Sequence, residues 1–248
     1  MRLHSNSLFH FTNKAGLLYI LKNNFVPCYC KERLAVEKIN YDYWVPMVSF
    51  CDIPLSQIKS HIKEYGKYAI GLNRKWVNRN KLNPVFYYKE KTFFFDNYYK
   101  LLTSLEGKSF INNTKAKELN NYYFAFFKPY RGVDIRPEKD KEKNEKIENK
   151  KQKTKIFYDE REWRYVPKGL KENEYIILDR DYNKLNKQLN NYKLTFEPDD
   201  ISYIIIEKEE ERQEFVQDIW ERKENYSEEK KLILITKIIS SEQILNDM

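Results

Sequence analysis

A strand–helix–strand block in the first third of the chain constrains the fold most strongly. The run "VPMVSFCDIP" is an apolar strand that ends before Pro54, and "LSQIKSHIKEYG" has apolar residues at helical spacing, at Leu55, Ile58 and Ile62. Gly66 suits the end of that helix because glycine tolerates a positive φ angle. The strand "KYAIGL" follows directly, so the block predicts a sheet with helices packed on it.

A second strand–helix unit is predicted at the N-terminus. The run "LFHF" is typical of a short strand, and Thr12 or Asn13 is suited to cap a helix whose apolar positions include Leu17 and Leu21. The following stretch, "FVPCYCKERLAVEKINYDYW", shows no clear period, and Pro27 limits any regular element. We therefore expect irregular structure between this unit and the central block.

The remaining elements mix strands and helices without a sustained alternation. Strands are predicted at "PVFYY", "IFYDEREWRYVP", "YIILD" and "ISYIIIE", and helices within residues 89–127, near residues 180–190 and over residues 209–221. This pattern favours an α+β fold, with mixed sheets and flanking helices, over a doubly wound sheet. A length of 248 residues and a hydrophobic content of 41% suit a single domain spanning residues 1–248.

Residues 137–155, "PEKDKEKNEKIENKKQKTK", carry almost no apolar side chains. Nothing in this segment can offset the entropy of ordering it, so we expect an exposed, mobile, charged excursion. A solvated loop is one interpretation of this segment. The other is an arm that binds polyanions, because lysines dominate its charge.

Composition limits the cellular setting and the partners. Three cysteines, no leader peptide and no apolar run of membrane length predict a soluble cytoplasmic protein without membrane contact. A formal net charge of +8 permits contact with the phosphates of nucleic acid or of a dinucleotide. The abundance of tyrosine, lysine and asparagine is consistent with an AT-rich coding bias, so it does not by itself indicate base-stacking platforms.

Metal and nucleotide-triphosphate chemistry have little support in the motifs. Cys28 and Cys30 form a C-x-C pair that is tighter than the usual zinc spacing, and no second Cys or His pair accompanies it. The sequence also lacks a Gly-rich phosphate loop, an H-E-x-x-H motif and a G-x-S-x-G motif. We therefore expect no metal ion as a cofactor.

Two acidic residues in "IFYDEREWRYVP" are the strongest candidates for chemistry. If this run is a strand, Glu160 and Glu162 project from the same face. A carboxylate beside a sugar can stabilise an oxocarbenium-like transition state. The alternative is a solvated strand face on which Arg161 and Arg164 are simple charge partners of the two glutamates.

Several consecutive blocks of the chain resemble one family. The runs "LFHFT", "VSFCDIPLSQIKSHIKEYGKYAIGL", "NPV" and "EREWRYVP" are similar to those of the AbiGi family of abortive phage resistance proteins, and the resemblance covers most of the chain. It implies a component of antiphage defence, sometimes described as an antitoxin. A toxin or antitoxin protein is then an expected partner.

A more distant resemblance concerns chemistry. A strand ending in His-x-Thr, a helix, an apolar strand and a late strand bearing Glu are similar to the plan of the ADP-ribosyltransferase fold. The resemblance implies that His10 and Thr12 hold NAD and that Ser49 occupies the second-strand position of the nicotinamide pocket. It also implies that Glu162 is the catalytic acid, with Glu160 beside it.

His61 and Tyr65 stand four residues apart on the predicted central helix, so they share one face and could also contact NAD. A histidine on a helix can equally be a surface or capping residue. The resemblances together imply an antiphage defence enzyme that transfers ADP-ribose from NAD or consumes NAD. The alternative is a nonenzymatic antitoxin, or a nucleic-acid-binding regulator, that is paired with a toxin.

Overall fold

The computed structural model describes residues 5–36, 39–95, 97, 114–133, 154–171, 174–178, 182–222 and 226–247. Its strands are β1 (Ser7–Thr12), β2 (Cys28–Val36), β3 (Ile39–Cys51), β4 (Tyr68–Asn73), β5 (Asn83–Pro84), β6 (Phe86–Tyr88), β7 (Phe127–Pro129), β8 (Arg131–Val133), β9 (Thr154–Ile156), β10 (Glu162–Tyr165), β11 (Ile201–Ile206) and β12 (Ile238–Ser240). Its α-helices are α1 (Lys14–Asn23), α2 (Lys59–Tyr65), α3 (Arg74–Arg79), α4 (Thr114–Phe124), α5 (Tyr182–Asn186), α6 (Arg212–Arg222), α7 (Glu228–Ile235) and α8 (Ser241–Asp247).

A mixed sheet organises the described part of the chain. Its strands run in the order β12-β11-β4-β1-β3-β10-β5, and β2 pairs with the N-terminal part of β3. The β11–β12 pair is parallel, whereas the other neighbours in this sheet are antiparallel. Two small sheets, β6–β7 and β8–β9, lie outside it. The prediction of mixed sheets with flanking helices is therefore confirmed.

Apolar side chains cover both faces of the central strands. One face carries Leu8 and Phe50 and packs against helices α1, α3, α6 and α7. The other face carries Phe9 and Cys51 and packs against α2 and α8 through residues such as Ile62. A third apolar cluster surrounds the β2–β3 hairpin and the C-terminal end of α4.

Local signals explain the N-terminal unit. Asn13 caps α1 by accepting a hydrogen bond from Gly16 N at 2.8 Å, which confirms one of the two predicted caps. Thr12 Oγ1 occupies the space where residue 16 would carry a Cβ atom, so any larger residue at position 16 would force the Thr12 side chain or the turn to shift. Gly66 follows α2 with a φ of 125°, as predicted for the end of that helix.

The stretch expected to be irregular is a long hairpin, so that prediction is wrong. Strands β2 and β3 pair continuously from Cys28 opposite Met47 to Val36 opposite Ile39. Charged residues obscure the alternation, because Arg33 reaches across the hairpin to Asp42 with an Nε–Oδ1 distance of 2.6 Å. Such a pair lets a charged side chain lie half-buried on a strand.

The run "IFYDEREWRYVP" is also not one strand. Residues 157–160 form a 3₁₀ turn, Arg161 adopts a left-handed backbone conformation with φ 45°, and only Glu162–Tyr165 form strand β10. The predicted strand "YIILD" is reduced to an isolated bridge between Ile177 and Trp44. Because a non-glycine residue rarely adopts the left-handed conformation, the alternation of apolar and polar residues could not predict the break at Arg161.

Part of the sequence prediction lies outside the described residues. This applies to the middle of the helical region expected within residues 89–127, of which helix α4 is described, and to residues 137–153 of the charged excursion. The last two residues of the excursion, Thr154 and Lys155, instead open strand β9, where the Lys155 side chain is only 12% exposed. The burial and ion pairing of Lys155 correct the expectation of a solvated excursion for that residue, whereas Thr154 is exposed as expected.

Candidate functional site

Six charged side chains meet beside strand β10, and we call them the charge network. They come from strands β2, β7, β9 and β10 and from the turn before β10: Glu32, Lys128, Lys155, Glu160, Glu162 and Arg164. Three are carboxylates and three are cations, so their formal charges balance. The predicted acidic pair, Glu160 and Glu162, therefore belongs to a largely buried cluster of ion pairs.

Lys128 connects the two glutamates that the sequence singles out. Its Nζ atom lies 2.6 Å from Glu160 Oε2 and 2.6 Å from Glu162 Oε2. The left-handed Arg161 between the glutamates turns the chain so that both carboxylates reach one ammonium group. The interpretation of one strand that carries both carboxylates on its face is therefore wrong, because a turn at Arg161 rather than strand alternation brings the two carboxylates together.

Arg164 holds the other side of the network. Its Nε donates to Glu162 Oε1 at 2.7 Å, its Nη2 donates to Glu32 Oε1 at 2.5 Å, and its Nη1 donates to the carbonyl oxygen of Ala125 at 2.7 Å. The side chain is fully buried, and a buried guanidinium requires acceptors of this kind. Arg164 thus joins strand β10 to the β2–β3 hairpin and to the end of α4.

Helix α2 and strand β9 close the network on the side of Glu160. Tyr65 donates its hydroxyl hydrogen to Glu160 Oε1, and Lys155 Nζ lies 3.0 Å from the same oxygen. Lys155 also pairs with Glu64, which is 47% exposed, at 2.6 Å. His61 stacks on the Tyr65 ring with a centroid separation of 5.2 Å. The two predicted helix residues therefore do lie beside the acidic pair.

Ion pairing governs the protonation of the glutamates. Burial alone would raise the pKa of Glu162, but Arg164 and Lys128 outweigh burial and lower that pKa to about 2. Burial likewise opposes ionisation of Glu160, and Lys128 and Lys155 hold its pKa below the usual value. Burial raises the pKa of Glu32 in spite of Arg164. Glu160 and Glu162 are therefore ionised at neutral pH.

The hydrogen-bonding capacity of Glu162 is largely used inside the protein. Arg164 contacts Oε1 and, at 3.2 Å, Oε2, which also accepts from Lys128. The backbone N–H of Glu162 donates to the Tyr87 hydroxyl at 2.9 Å. To bind a ribose hydroxyl, Glu162 would have to exchange one of these partners for the sugar.

His10 lies on the opposite face of the sheet from Glu162. Phe9 pairs with Cys51 and Cys51 pairs with Glu162, so these three side chains share a face, and His10 projects from the other. Its Nδ1 lies 2.8 Å from the carbonyl oxygen of Ser49, and its ring packs edge-on against Phe50 with a centroid separation of 5.7 Å.

Other predicted NAD-binding residues are also divided between the two faces. Thr12 lies two residues after His10 on strand β1, so it projects from the same face as His10, and it packs against Gly16. Ser49 pairs with Arg164, so its side chain shares the face of the charge network, whereas its carbonyl oxygen contacts His10. The structure thus brings together Glu160, Glu162, His61 and Tyr65, and it does not bring His10 and Thr12 to them.

A group of three tyrosines, the tyrosine cluster, lies next to the charge network. The ring of Tyr158 lies 5.2 Å from that of Tyr87 and 5.6 Å from that of Tyr130. Tyr158 is 53% exposed and Tyr130 is 40% exposed, whereas Tyr87 reaches inward to Glu162 N. The cluster therefore joins the surface to the buried ions.

Sequence reasoning missed the tyrosine cluster and three members of the charge network, among them Lys155, which lies in the segment expected to be a solvated excursion. Lys128 stands alone among apolar residues in "YYFAFFKPY", and an isolated lysine in such a run is the one signal that could have marked it as buried and paired. Glu32 lies in "CYCKERL", where no comparable signal exists. The tyrosines come from distant parts of the sequence, so only the fold assembles them.

Two further observations concern metals and membranes. Over the residues that the structure describes, no group of three or more His, Cys, Asp or Glu side chains is placed to hold a metal ion. Within the same residues, no helix combines the length and the apolar character needed to cross a membrane.

The fold and the site define a mixed α/β protein in which a largely buried acidic pair lies beside the central sheet and cations of the charge network balance its charge. The model of one family, described as "Putative abortive phage resistance protein AbiGi, antitoxin", matches residues 23–207 of the 248. The chain therefore belongs to the AbiGi family of abortive phage resistance proteins, which confirms the resemblance carried by its sequence blocks.

Comparison with curated proteins agrees with this assignment. An abortive phage resistance protein AbiGi from Lactococcus lactis subsp. cremoris is 28% identical over 251 residues. The alignment covers 90% of this chain and 99% of the relative. No solved structure matches the chain.

Proposed function

We propose that this protein is the antitoxin of an abortive infection pair, which binds a toxin protein in the cytoplasm and restrains it without chemistry of its own. The description of its family as an antitoxin supports this function. The observation that carries the proposal is that Lys128, Arg164 and Lys155 neutralise the acidic pair from within. A site already filled by the protein's own cations suits a structural role better than a catalytic one.

The tyrosine cluster is the surface that we assign to the toxin. Tyrosine rings give large contact areas at a low entropic cost, and tyrosine is enriched where proteins bind one another. Tyr130 and Tyr158 expose 40% and 53% of their surface, and Tyr87 anchors them to the charge network. The charge network then acts as a rigid support beneath the contact surface.

Coexpression with the products of the neighbouring genes tests this function. We expect the tagged protein to copurify with one of them and to suppress the growth arrest that this product causes. Tyr158→Ala should weaken both effects at least tenfold, whereas Tyr19→Ala, which alters a tyrosine of similar exposure on α1, should not. Retention of both effects in a Tyr130→Ala/Tyr158→Ala double variant would exclude this surface.

The second candidate function is ADP-ribosyl transfer or NAD hydrolysis. For this function we predict an ADP-ribosyltransferase-like fold. The observation that favours it is the meeting of Glu160, Tyr65 and His61 beside Glu162. The position of His10 on the other sheet face means that NAD would need contacts other than the pair that the resemblance implies. The geometry therefore favours the antitoxin function.

An NAD assay separates the two candidates. The purified protein, alone and with its partner, is incubated with labelled NAD, and free nicotinamide and labelled protein or nucleic acid are measured. The antitoxin function predicts no turnover. Turnover that disappears in a folded Glu162→Gln variant would instead support the transferase.

Binding of nucleic acid is a third outcome that the net charge of +8 permits. If phosphate contacts dominate, the affinity for DNA or RNA should fall steeply as the salt concentration rises. Copurification with nucleic acid and without a protein would favour the regulator over the antitoxin.

A further inference from the structure

Cys28 and Cys30 lie side by side on strand β2. Their sulfur atoms are 3.7 Å apart, because residues two apart on a strand project from the same face. Cys28 is exposed and Cys30 is half-buried, whereas Cys51 is buried in the central sheet. The chain therefore presents one accessible thiol with a second thiol directly behind it.

We propose that Cys28 and Cys30 form a dithiol site that exchanges with small-molecule disulfides and closes to an intrastrand disulfide. The proposal does not rest on the antitoxin function. Its ligand class is a compound of the type R–S–S–R, for which the accessible Cys28 sulfur is the attacking atom and the Cys30 sulfur is the resolving atom.

The exchange transfers two electrons from the two protein thiols to the disulfide reagent and needs no further oxidant. The Cys28 thiolate attacks one sulfur of R–S–S–R, so that a mixed disulfide forms and the first R–S⁻ leaves. Cys30 then loses its proton to solvent, and its sulfur attacks the Cys28 sulfur and releases the second R–S⁻. Two protein thiols are oxidised, and the reagent disulfide is reduced to two thiols.

The surroundings of the pair favour this order of events. The hydrogen bond from the Cys30 thiol lowers the pKa of Cys28 to about 7, which makes a thiolate available near neutral pH. The same interaction and burial raise the pKa of Cys30. A neutral second thiol therefore stabilises the attacking thiolate until the mixed disulfide has formed.

Strand geometry allows the bond but keeps it labile. Residues two apart on a strand have Cα atoms about 6.4 to 6.8 Å apart, at the upper end of the range that a disulfide spans. Their side-by-side Cβ atoms lie farther apart than the roughly 3.5 to 4.5 Å of a relaxed disulfide, so the bond requires β2 to bend locally. Closing the bond should therefore strain the strand, and strained, exposed disulfides are reduced easily. We expect an oxidation that thiols readily reverse.

The test uses the full chain and the chromogenic disulfide dithionitrobenzoate under native conditions. We expect two equivalents of coloured thiolate to be released per chain, at an initial rate about threefold above that of an ordinary thiol. The product should carry no adduct, should weigh two hydrogen atoms less than the starting protein, and should yield a peptide with Cys28 linked to Cys30.

Matched variants make the outcome decisive. Cys30→Ser should release one equivalent and retain one adduct at Cys28, whereas Cys51→Ser should behave as the unmodified chain does because Cys51 is buried. Two retained adducts on the Cys51→Ser protein, or an unreactive Cys28 in it, would overturn the proposal.

Discussion

The ammonium nitrogen of Lys128 lies 2.6 Å from Glu162 Oε2 and at the same distance from Glu160 Oε2, so one buried cation holds two carboxylates. Without that cation the two acids would face each other in a medium of low dielectric constant. The stability of the region around β10 therefore depends on Lys128.

Lys128→Met should destabilise the protein by about 3–5 kcal/mol, because it removes one partner of a buried ion pair and leaves uncompensated charge. The measurement is the free energy of unfolding in urea at neutral pH. Lys75→Met, at an exposed lysine on α3, is the matched control and should change the free energy by no more than about 0.5 kcal/mol. Equal effects of the two substitutions would show that the network does not stabilise the fold.

The free energy of unfolding should fall in acid, because the pKa of Glu162 is about 2 in the folded protein, whereas the pKa of an ordinary glutamate is 4.5. A folded-state pKa below the unfolded one gives stability above pH 4.5 that is lost as the pH falls towards 2, by about 3 kcal/mol for this group. Urea unfolding across that range measures the slope. Glu162→Gln should be less stable at neutral pH and should show a shallower slope; an unchanged slope would contradict the assignment.

Gly16→Ala should cost about 1–3 kcal/mol, because the new methyl group would meet Thr12 Oγ1 at the strand-to-helix turn. A double-mutant cycle provides the test. Thr12→Ala removes the oxygen, so Thr12→Ala/Gly16→Ala should be more stable than the sum of the single changes predicts. Strict additivity in thermal or urea unfolding would mean that the turn relaxes around the methyl group.

His10→Phe should cost about 1 kcal/mol, since the ring contacts with Phe25 and Phe50 remain while the hydrogen bond to Ser49 O is lost. His10→Ala should cost about 2–4 kcal/mol because it also removes the ring. Suppression of toxin-dependent growth arrest should persist in His10→Phe. Loss of suppression in a folded His10→Phe protein would indicate a direct role for the imidazole.

The elements that could be predicted from sequence are those with local causes. Asn13 caps α1 through its own side chain, and Gly66 ends α2 through its own backbone freedom, so each is visible within a few residues. Strands β1, β4 and β11 are likewise marked by apolar runs. These features need no knowledge of distant partners.

The elements that could not be predicted depend on distant partners. The largely buried Glu32 is tolerated on strand β2 because it forms an ion pair with Arg164, which lies 132 positions away in the sequence. Lys128 acquires its role from the two glutamates of β10, and the left-handed Arg161 has no compositional mark. Sequence reasoning could therefore identify Glu160 and Glu162 as a pair and Arg164 as a charge partner. It could not identify Lys128 and Lys155, which come from distant parts of the chain.

The pairing of Glu32 with Arg164 has an evolutionary consequence. Loss of either residue alone would leave the charge network with one uncompensated buried charge. Joint replacement of both residues by apolar residues of similar volume removes one charge of each sign and can be tolerated. We expect the two positions to covary among AbiGi relatives, so that lineages keep both residues or exchange both. An aligned set of relatives in which the two positions vary independently would contradict this expectation.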